Sequence, residues 1–327
     1  HIFRRHPSGG AHEPVMVGGM DNPVDVVFSP SGERFFTTTF FQYPAGGQRD
    51  GLVHAIYGGI YGKPHGVVNS HPSTGDLMPV MTQLGPAAPC GLELYESAVL
   101  GSGFTGNLFS CQFNLNKVQR HVLIPDGSTF RTEDSDFLAT TNSDFHPTDV
   151  LEDADGSLLV LNTGGWYKLC CPTSQFWRPE ALGAIYRVKK IGGKPPGDPH
   201  GAKLNWPNLS TERLALLLDD ERPALRRRAI EALAKRGEAA VPPLSRQLWQ
   251  GHERARLNAV WTLTRIHGAA ARQAVRGAFD NSTPSLQQAA AHSAGRGCCS
   301  RPAGLEPIQV RSAIAPTNPM ARQSATR

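Results

Sequence analysis

The run Asp144-Phe-His-Pro-Thr-Asp149 is the densest group of chemically active side chains in the sequence. A histidine with a carboxylate nearby can act as a general base, because the carboxylate orients the imidazole ring. His146 and Asp149 are therefore candidate catalytic residues. A structural interpretation stays open for both, since an aspartate in such a position also caps turns or accepts hydrogen bonds from backbone amides.

The sequence that follows this histidine is repeated. The segment 147–156 matches the segment 23–32, with Pro, Asp, Val and Gly at the same offsets, and a looser third copy starts at Pro89. Such repeats in a β-rich sequence indicate a radial β-architecture, in which the starts of the repeats lie near a central channel that binds ligands. Asn22 and Cys90 stand at the starts of the other two copies and are therefore candidate cofactor-binding residues.

Two long loops carry further candidates. The segment 40–50 combines aromatic residues with Arg49, a candidate catalytic residue, and the segment 163–172 contains Trp166 and Tyr167. Aromatic side chains on loops above a rigid scaffold can stack on a planar cofactor or a sugar ring. We therefore expect Trp166 and Tyr167 to bind a cofactor. The alternative is that they cover the sheet beneath them.

The spacing of the repeats also predicts the fold of the first part. Each repeat continues, after a polar turn with glycine, into a second short β-rich run. Strand, glycine turn and strand in repeated units are typical of propeller blades. Residues 1–190 contain three such units, and three cannot close a ring of roughly 4–8 blades. The sequence therefore predicts an all-β propeller portion of about three blades, with other blades missing. An ordinary β-sandwich is the rival interpretation.

The pattern changes after a linker at 191–210 that is rich in Gly and Pro. Residues 211–295 have helical periodicity, and the motif Arg228-Ala-Ile-Glu-Ala-Leu233 is echoed by Asn258-Ala-Val-Trp-Thr-Leu263. Paired amphipathic helices that repeat in this way predict an α-solenoid of HEAT-like repeats. Residues 296–327 have no periodicity and are expected to be an irregular tail.

Charge divides the chain at the same place, since residues 1–190 carry a net charge of −5 and residues 191–327 one of +10. The run Arg226-Arg-Arg228 is expected to lie on a solvated helix face, and no motif that reads nucleic acid occurs. The apolar runs are too short for a transmembrane segment. The first residues lack an initiator Met and an apolar segment, so we expect a fragment without a signal region.

Cysteine spacing excludes some cofactors. The six cysteines form no Cys-x-x-Cys and no Cys-x-x-Cys-His, so the chain has no haem motif and no zinc site is predicted. Cys90 and Cys111 can bridge two strands of one blade, or can be buried as thiols. Glu152, Asp153 and Asp155 form an acidic turn that could hold calcium, although a solvated turn is favoured. We predict no metal site from these residues.

Several longer motifs resemble known families over roughly residues 1–295. The segment Pro89-Cys-Gly-Leu-Glu-Leu-Tyr95 is similar to a blade of the soluble glucose/sorbosone dehydrogenases, which are six-bladed quinone-dependent propellers. More closely, the chain resembles the large membrane-bound dehydrogenases of the planctomycete type, in which a propeller is followed by HEAT repeats and a haem c domain. The motifs that carry this resemblance are Gly47-Gln-Arg-Asp-Gly51, Tyr57-Gly-Gly-Ile-Tyr-Gly-Lys63, Asp144-Phe-His-Pro-Thr-Asp-Val150 and Thr163-Gly-Gly-Trp-Tyr-Lys-Leu-Cys-Cys-Pro-Thr173.

The resemblance implies a bacterial dehydrogenase that is periplasmic or membrane-associated. It implies oxidation of a sugar or alcohol with pyrroloquinoline quinone and calcium, and electron transfer to a haem c domain or a cytochrome. The chain departs from the sugar dehydrogenases at Ala87, where they have an arginine, and their catalytic histidine belongs to an earlier blade. We therefore expect the fragment alone to be inactive. The alternative is a non-catalytic propeller–solenoid platform that binds carbohydrate or protein.

Overall fold

The computed structural model describes residues 2–5, 10–16, 22–39, 50–56, 58–61, 75–165, 180–281 and 283–297. Within these ranges the chain is built from antiparallel strands as far as Val188 and from helices beginning at Thr211. The thirteen described strands are β1 Ile2–Arg4, β2 Glu13–Met16, β3 Val26–Phe28, β4 Arg34–Thr39, β5 Asp50–His54, β6 Thr82–Gly85, β7 Pro89–Leu94, β8 Leu108–Gln112, β9 Lys117–Asp126, β10 Thr129–Ala139, β11 Pro147–Glu152, β12 Leu158–Asn162 and β13 Ala184–Val188.

The strands form three meandering sheets and one separate pair, β1 with β2. Sheet I has the order β3-β4-β5-β6, sheet II the order β7-β8-β9-β10 and sheet III the order β11-β12-β13. Tight turns join the first two strands of sheets I and III, and each needs a glycine with positive φ, Gly32 at 95° and Gly156 at 77°. The two glycine hairpins predicted from the sequence are therefore present.

The sheets stack face to face along the chain. Phe35 and Leu52 of sheet I pack against Leu92 and Leu108 of sheet II. Sheet II packs its other face on sheet III in a second buried cluster, whose members are Tyr95, Leu100, Phe109, Cys111, Val118, Phe145, Val150, Leu158 and Val160. The first strands of the three sheets, β3, β7 and β11, lie side by side and are called the inner strands below. The described sheets do not close into a ring.

Six described α-helices follow, and they lie in two layers. Their bounds are α1 Thr211–Leu216, α2 Pro223–Arg236, α3 Val241–Gln250, α4 Glu253–Thr264, α5 Ala269–Gly277 and α6 Pro284–Gly297. Helix α1 begins as the sequence predicts, because the Ser210 hydroxyl accepts a 3.1 Å hydrogen bond from the amide of Arg213. Helices α2, α4 and α6 pack side by side, as do α1, α3 and α5, around one apolar core.

The helical layer formed by α2, α4 and α6 docks on the sheets. In α4 the Trp261 indole donates a 2.7 Å hydrogen bond to the Pro30 carbonyl, and its ring covers Gly32. In α6, Gln288 donates a hydrogen bond to Glu33. All three contacted residues belong to the turn that follows β3. Helices thus meet the sheets at the C-terminal end of an inner strand.

Helix α2 makes the corresponding contact near sheets II and III. Arg226 is buried and donates hydrogen bonds to Glu96, beyond the end of β7, and to the Asp220 carbonyl. Glu152, the last residue of β11, accepts hydrogen bonds from the amides of Glu96 and Ser97. Arg226 was expected on a solvated face, and that expectation is wrong, because the guanidinium pairs with a carboxylate more than a hundred residues away in sequence.

Candidate functional site

The opposite ends of the inner strands bring two predicted residues, Cys90 and Asp149, together with Asp25. Asp25 precedes β3, Cys90 lies at the start of β7 and Asp149 lies at the start of β11. We call Asp25, Cys90 and Asp149 the inner-strand cluster. β-Bulges interrupt the strand pairing between Pro89 and Leu92 and between Pro147 and Asp149, and such irregularities turn side chains away from the regular strand direction.

Asp25 ties two inner strands to each other. One carboxylate oxygen accepts a 2.8 Å hydrogen bond from its neighbour's amide at Val26, and the other accepts a 3.0 Å bond from the amide of Leu92 in β7. Both bonds are of the kind that satisfies backbone donors at the end of a strand. Asp25 therefore acts as a clamp between sheets I and II.

Asp149 occupies the equivalent position in sheet III but is used differently. Its Oδ1 accepts a 2.9 Å hydrogen bond from the amide of Val150, and the described residues supply no hydrogen bond to its Oδ2. Burial raises the pKa of Asp149, and the nearby charge of Asp25 adds to the rise. A Cβ atom on Gly91 would lie 2.2 Å from Oδ1, so the carboxylate fits only because that residue is glycine.

Cys90 is a neutral thiol at the centre of this cluster. Its sulfur donates to the Ala88 carbonyl at 3.4 Å, and burial, with a further contribution from Asp149, raises the pKa of Cys90 to about 11. Burial also raises the pKa of Cys111, on the neighbouring strand β8. Both are free cysteines, so the alternative of buried thiols describes this structure, and neither is activated as a nucleophile.

His146 directly precedes β11 and lies against Phe113, which follows β8 of sheet II. Its ring is buried, stacks on Phe113 with 4.4 Å between ring centroids, and has Nδ1 3.3 Å from the Phe113 carbonyl oxygen. Its amide donates to Asn162 at 2.7 Å. The described contacts do not join His146 to Asp149, so the pairing of base and orienting carboxylate that the sequence suggests stays a prediction.

The remaining predicted site residues are placed only in part. Asn22 is exposed and lies just before Asp25 in the chain. Arg49, Trp166 and Tyr167 lie outside the described residues. The described chain stops at Thr39 and Gly165 and resumes at Asp50 and Glu180, and strand pairing places these four positions at the same end of the sheets as the cluster.

Two buried histidine relays were not found from the sequence. In sheet II, Ser110 bonds to His121 Nε2 at 2.8 Å, and His121 Nδ1 bonds to Asp134 at 2.8 Å. Burial by itself raises the pKa of Asp134, but hydrogen bonds from His121 and Thr82 outweigh it and lower the pKa. A hydroxyl, an imidazole and a carboxylate in this order resemble a nucleophilic triad. Ser110 and His121 are each 0% exposed, however, so a substrate cannot reach them.

The second relay links sheet I to the β9–β10 hairpin. His54 bonds through Nε2 to Glu33 at 2.8 Å and through Nδ1 to Thr129 at 3.1 Å. The ring is buried between Phe35 and Phe130. Both relays cross between sheets I and II, because Asp134 also accepts a hydrogen bond from Thr82 in β6. Their role is to hold two sheets together through satisfied buried polar groups.

The acidic turn after β11 has protein partners for its charges. Arg187 pairs with Asp153 at 2.6 Å and with Asp155 at 3.2 Å, and Lys189 also pairs with Asp155 at 3.2 Å. Among the described residues no three His, Cys, Asp or Glu side chains gather as a metal site. Within that same part of the chain, no helix combines the length and apolar character needed to cross a membrane.

Two segments of the chain match known protein families. Residues 211–295 match the HEAT repeats family, which confirms the predicted helical repeats. Residues 69–189 match a domain of unknown function, DUF7133. No curated protein matches the chain.

Solved structures give distant similarities. An oxidoreductase (glucose dehydrogenase) from Thermus thermophilus is 19% identical, with a TM-score of 0.35, over 52% of this chain and 44% of that one. A glucose dehydrogenase is 16% identical, with a TM-score of 0.35, over 51% and 44%. A protein described as a gluconolactonase is 16% identical, with a TM-score of 0.30, over 57% and 55%. The chain spans less than half the length of these dehydrogenases, and similarity at this level assigns no activity to it.

Proposed function

We propose that the chain is part of an extracytoplasmic dehydrogenase that oxidises a sugar or a related alcohol, and that the inner-strand cluster binds the substrate's hydroxyl groups. The observation that carries the proposal is the meeting of Asp25, Cys90 and Asp149 at one end of three adjacent inner strands. In this proposal sheets I to III are consecutive blades of a larger ring, and the cluster lies at its axis.

The chemistry of the cluster suits a neutral hydroxylated ligand. Asp149 is only partly buried, and its Oδ2 accepts no hydrogen bond from the described residues. A carboxylate oxygen is a strong acceptor for a hydroxyl donor. Burial and the charge of Asp25 raise the pKa of this carboxyl group. Asp149 is therefore the described residue best placed to orient a hydroxyl group.

The described residues do not fit the quinone cofactor that the sequence motifs imply. Pyrroloquinoline quinone carries carboxylate groups and needs cations around it, whereas the cluster presents two carboxylates, Asp25 and Asp149. Calcium lacks a described site as well, since no group of three suitable ligands is present among these residues. Quinone dependence and electron transfer to a haem c domain or cytochrome are thus supported only by the motif resemblance. Of the residues predicted to bind a cofactor, Trp166 and Tyr167 lie outside the described ranges, whereas Asn22 and Cys90 lie within them.

A second candidate function is a carbohydrate-binding platform without catalysis. Specific contacts favour it, because Asp25 spends both oxygens on backbone amides and Cys90 keeps its proton. His146 is likewise held by the backbone and ring of Phe113. In this alternative the cluster binds a sugar and no electrons leave it.

The two functions are separated by measuring binding and turnover together. The complete protein that contains this chain would be mixed with a panel of sugars and sugar alcohols, with and without pyrroloquinoline quinone and calcium. Sugar binding would be followed by calorimetry and oxidation by reduction of a dye. We expect dye reduction that falls at least tenfold in Asp149→Asn and is unchanged in Asp136→Asn, an exposed carboxylate on β10. Binding without dye reduction supports the platform, and absence of both contradicts both proposals.

A further inference from the structure

The outer helical layer, formed by α1, α3 and α5, has no described contact with the sheets. Hydrogen bonds to the sheets come from Arg226 in α2, Trp261 in α4 and Gln288 in α6. The described residues of the outer helices make no hydrogen bond to a sheet. One face of the solenoid therefore contacts the sheets, while the described residues of the opposite face form no hydrogen bond to them.

A row of exposed apolar side chains runs across this open face. Leu216 in α1 is 54% exposed, Trp249 in α3 is 51% exposed and Phe279, in the turn after α5, is 41% exposed. Each outer helix thus contributes one large apolar side chain at the same end of the helix. Apolar groups that recur in register across a repeat protein mark a binding face more strongly than single exposed residues do.

An arginine stands three residues before each member of the row, at Arg213, Arg246 and Arg276, and all three arginines are exposed. Residues three apart on a helix lie on the same face. We call these six residues, Arg213, Leu216, Arg246, Trp249, Arg276 and Phe279, the outer row. The pairing of a cation with an apolar side chain is therefore repeated once per helical repeat.

The outer row is continuous from helix to helix. Arg246 lies 3.8 Å from Glu212 of α1, which joins the first two repeats. The Trp249 ring reaches the end of α5, since a Cβ atom on Gly277 would lie 3.4 Å from it. Neighbouring helices are spaced about 10 Å apart, so the three apolar side chains follow one another at roughly that interval.

The row is basic, because its three arginines outnumber the two carboxylates beside it, Glu212 and Asp280. Arg213 and Arg276 form no ion pair with described residues. The contact of Arg246 with Glu212 is long, and both side chains are more than half exposed, so it contributes little. Residues 191–297 are themselves basic, with 16 Lys and Arg against 9 Asp and Glu. A ligand that carries negative charge together with apolar groups therefore complements this face.

We propose that the outer row binds an acidic, extended peptide segment of a partner protein, with apolar side chains at about every third residue. An extended chain of the polyproline II type rises about 3.1 Å per residue with three residues per turn, so every third side chain lies on one face and three residues span about the interval between neighbouring helices. Trp and Arg are the side chains that most often dominate protein interfaces. The peptide's acidic residues meet the three arginines, and its apolar residues meet Leu216, Trp249 and Phe279.

A lipid surface and a nucleic acid fit the row less well. Membrane-binding helices present a continuous apolar face, whereas here each helix offers one apolar side chain flanked by charge. A nucleic acid backbone offers phosphate charge but no apolar side chains to meet Leu216, Trp249 and Phe279. The proposal does not depend on the chain's being a dehydrogenase.

The test uses the full chain and a fluorescent ten-residue peptide of Asp and Glu with Leu or Phe at every third position. We expect micromolar binding by fluorescence anisotropy that weakens as salt rises. Trp249→Ala and Arg246→Ala should each weaken binding at least fivefold. Arg131→Ala on β10 and Ile191→Ala in the linker are matched controls, because both residues are exposed and far from the row in sequence, and they should leave affinity unchanged.

Leu216→Ser provides a second variant if Trp249→Ala alters the melting temperature. Equal affinity for a peptide with Ser in place of its apolar residues would overturn the proposal, because only charge would then be recognised. Tighter binding to anionic vesicles or to an oligonucleotide, lost in the same variants, would also overturn it. So would the absence of binding to the peptide.

Discussion

The Trp261 indole and the Pro30 carbonyl are joined by a 2.7 Å hydrogen bond across 231 positions of sequence. Trp261 belongs to the helical repeats, and Pro30 to the hairpin turn of sheet I. The ring of Trp261 also covers Gly32, so the turn joins two strands of sheet I and contacts a helix. The helices are thereby fixed to the sheets by a partly buried aromatic ring and by charge pairs at separate points.

The first prediction concerns the glycine beneath this ring. Gly32 has φ of 95°, and a Cβ atom there would lie 2.6 Å from the Trp261 ring. Gly32→Ala should therefore lower the free energy of unfolding through both backbone strain and steric conflict, by about 2–4 kcal/mol. Gly127→Ala is the control, because φ is +60° there and nothing lies within 4 Å. Equal losses in urea denaturation of the two variants would show that Trp261 does not press on the turn.

The second prediction is a loss of stability in acid that depends on Glu33. Burial by itself raises the pKa of Glu33, but hydrogen bonds from His292 and His54 outweigh it and lower the pKa from 4.5 to about 2. The carboxylate therefore stabilises the fold above pH 4.5, and this contribution disappears as the pH falls towards 2. It amounts to about 3 kcal/mol at most. Glu33→Gln should melt below wild type at pH 6, with the difference shrinking as the pH is lowered to 3. Asp136→Asn, which alters an exposed carboxylate, should show no such convergence.

The third prediction has the opposite sign and concerns Glu93, beside the docking site of α2. Burial raises the pKa of Glu93 to about 8, and Glu152 adds to the rise. The folded state holds the proton of Glu93 up to about pH 8, whereas the unfolded state loses it near pH 4.5. The free energy of unfolding should therefore decline as the pH rises from 4.5 through 8. Glu93→Gln should therefore be more stable than wild type at pH 9, by about 2 kcal/mol after allowance for solvent screening. At pH 4.5 the variant and wild type should have the same stability. Glu133→Gln, on an exposed side chain, should change neither value. A variant that is less stable than wild type at pH 9 would contradict a raised pKa for Glu93.

The fourth prediction tests the closeness of sheets II and III at the inner-strand cluster. A Cβ atom on Gly91 would lie 2.2 Å from Asp149 Oδ1 and 2.7 Å from Asp149 Cα. Because one of these atoms is backbone, Gly91→Ala should force the strands apart and cost about 1–3 kcal/mol. Gly103→Ala has open space around it and serves as the control. Melting temperatures that fall equally in the two variants would mean that the strands separate without strain.

The parts of the fold that could be predicted from the sequence are those set by neighbours along the chain. Gly32 and Gly156 mark hairpins because only glycine adopts their φ at little cost, and Ser210 caps a helix through a bond three residues away. Strand β10 was missed because it carries charges at Arg131, Glu133, Asp134 and Asp136. It is an edge strand with much of its length exposed, so no apolar alternation reveals it.

The candidate site could be predicted only where a repeat placed residues in equivalent positions. Asp149 and Asp25 stand at the same offset of the repeat, and the charge of Asp25 is near enough to raise the pKa of Asp149. The Ser110–His121–Asp134 relay depends on the register of three strands, which no local pattern encodes. Arg226 was expected to be solvated, because no local pattern shows that its partner is Glu96, which lies beyond the end of β7. Long-range pairs of this kind are decided by packing, which propensity does not determine.

The two ends of the inner strands are not equivalent. Pro30, Gly32, Glu33 and Glu96 are covered by helices at the C-terminal ends, whereas Asp25, Cys90 and Asp149 lie at the N-terminal ends, away from those contacts. The described helices thus cover one end of the inner strands, and Asp149 lies at the other end. A substitution that alters docking of the helices therefore acts at a distance from Asp149, and the two can be varied separately.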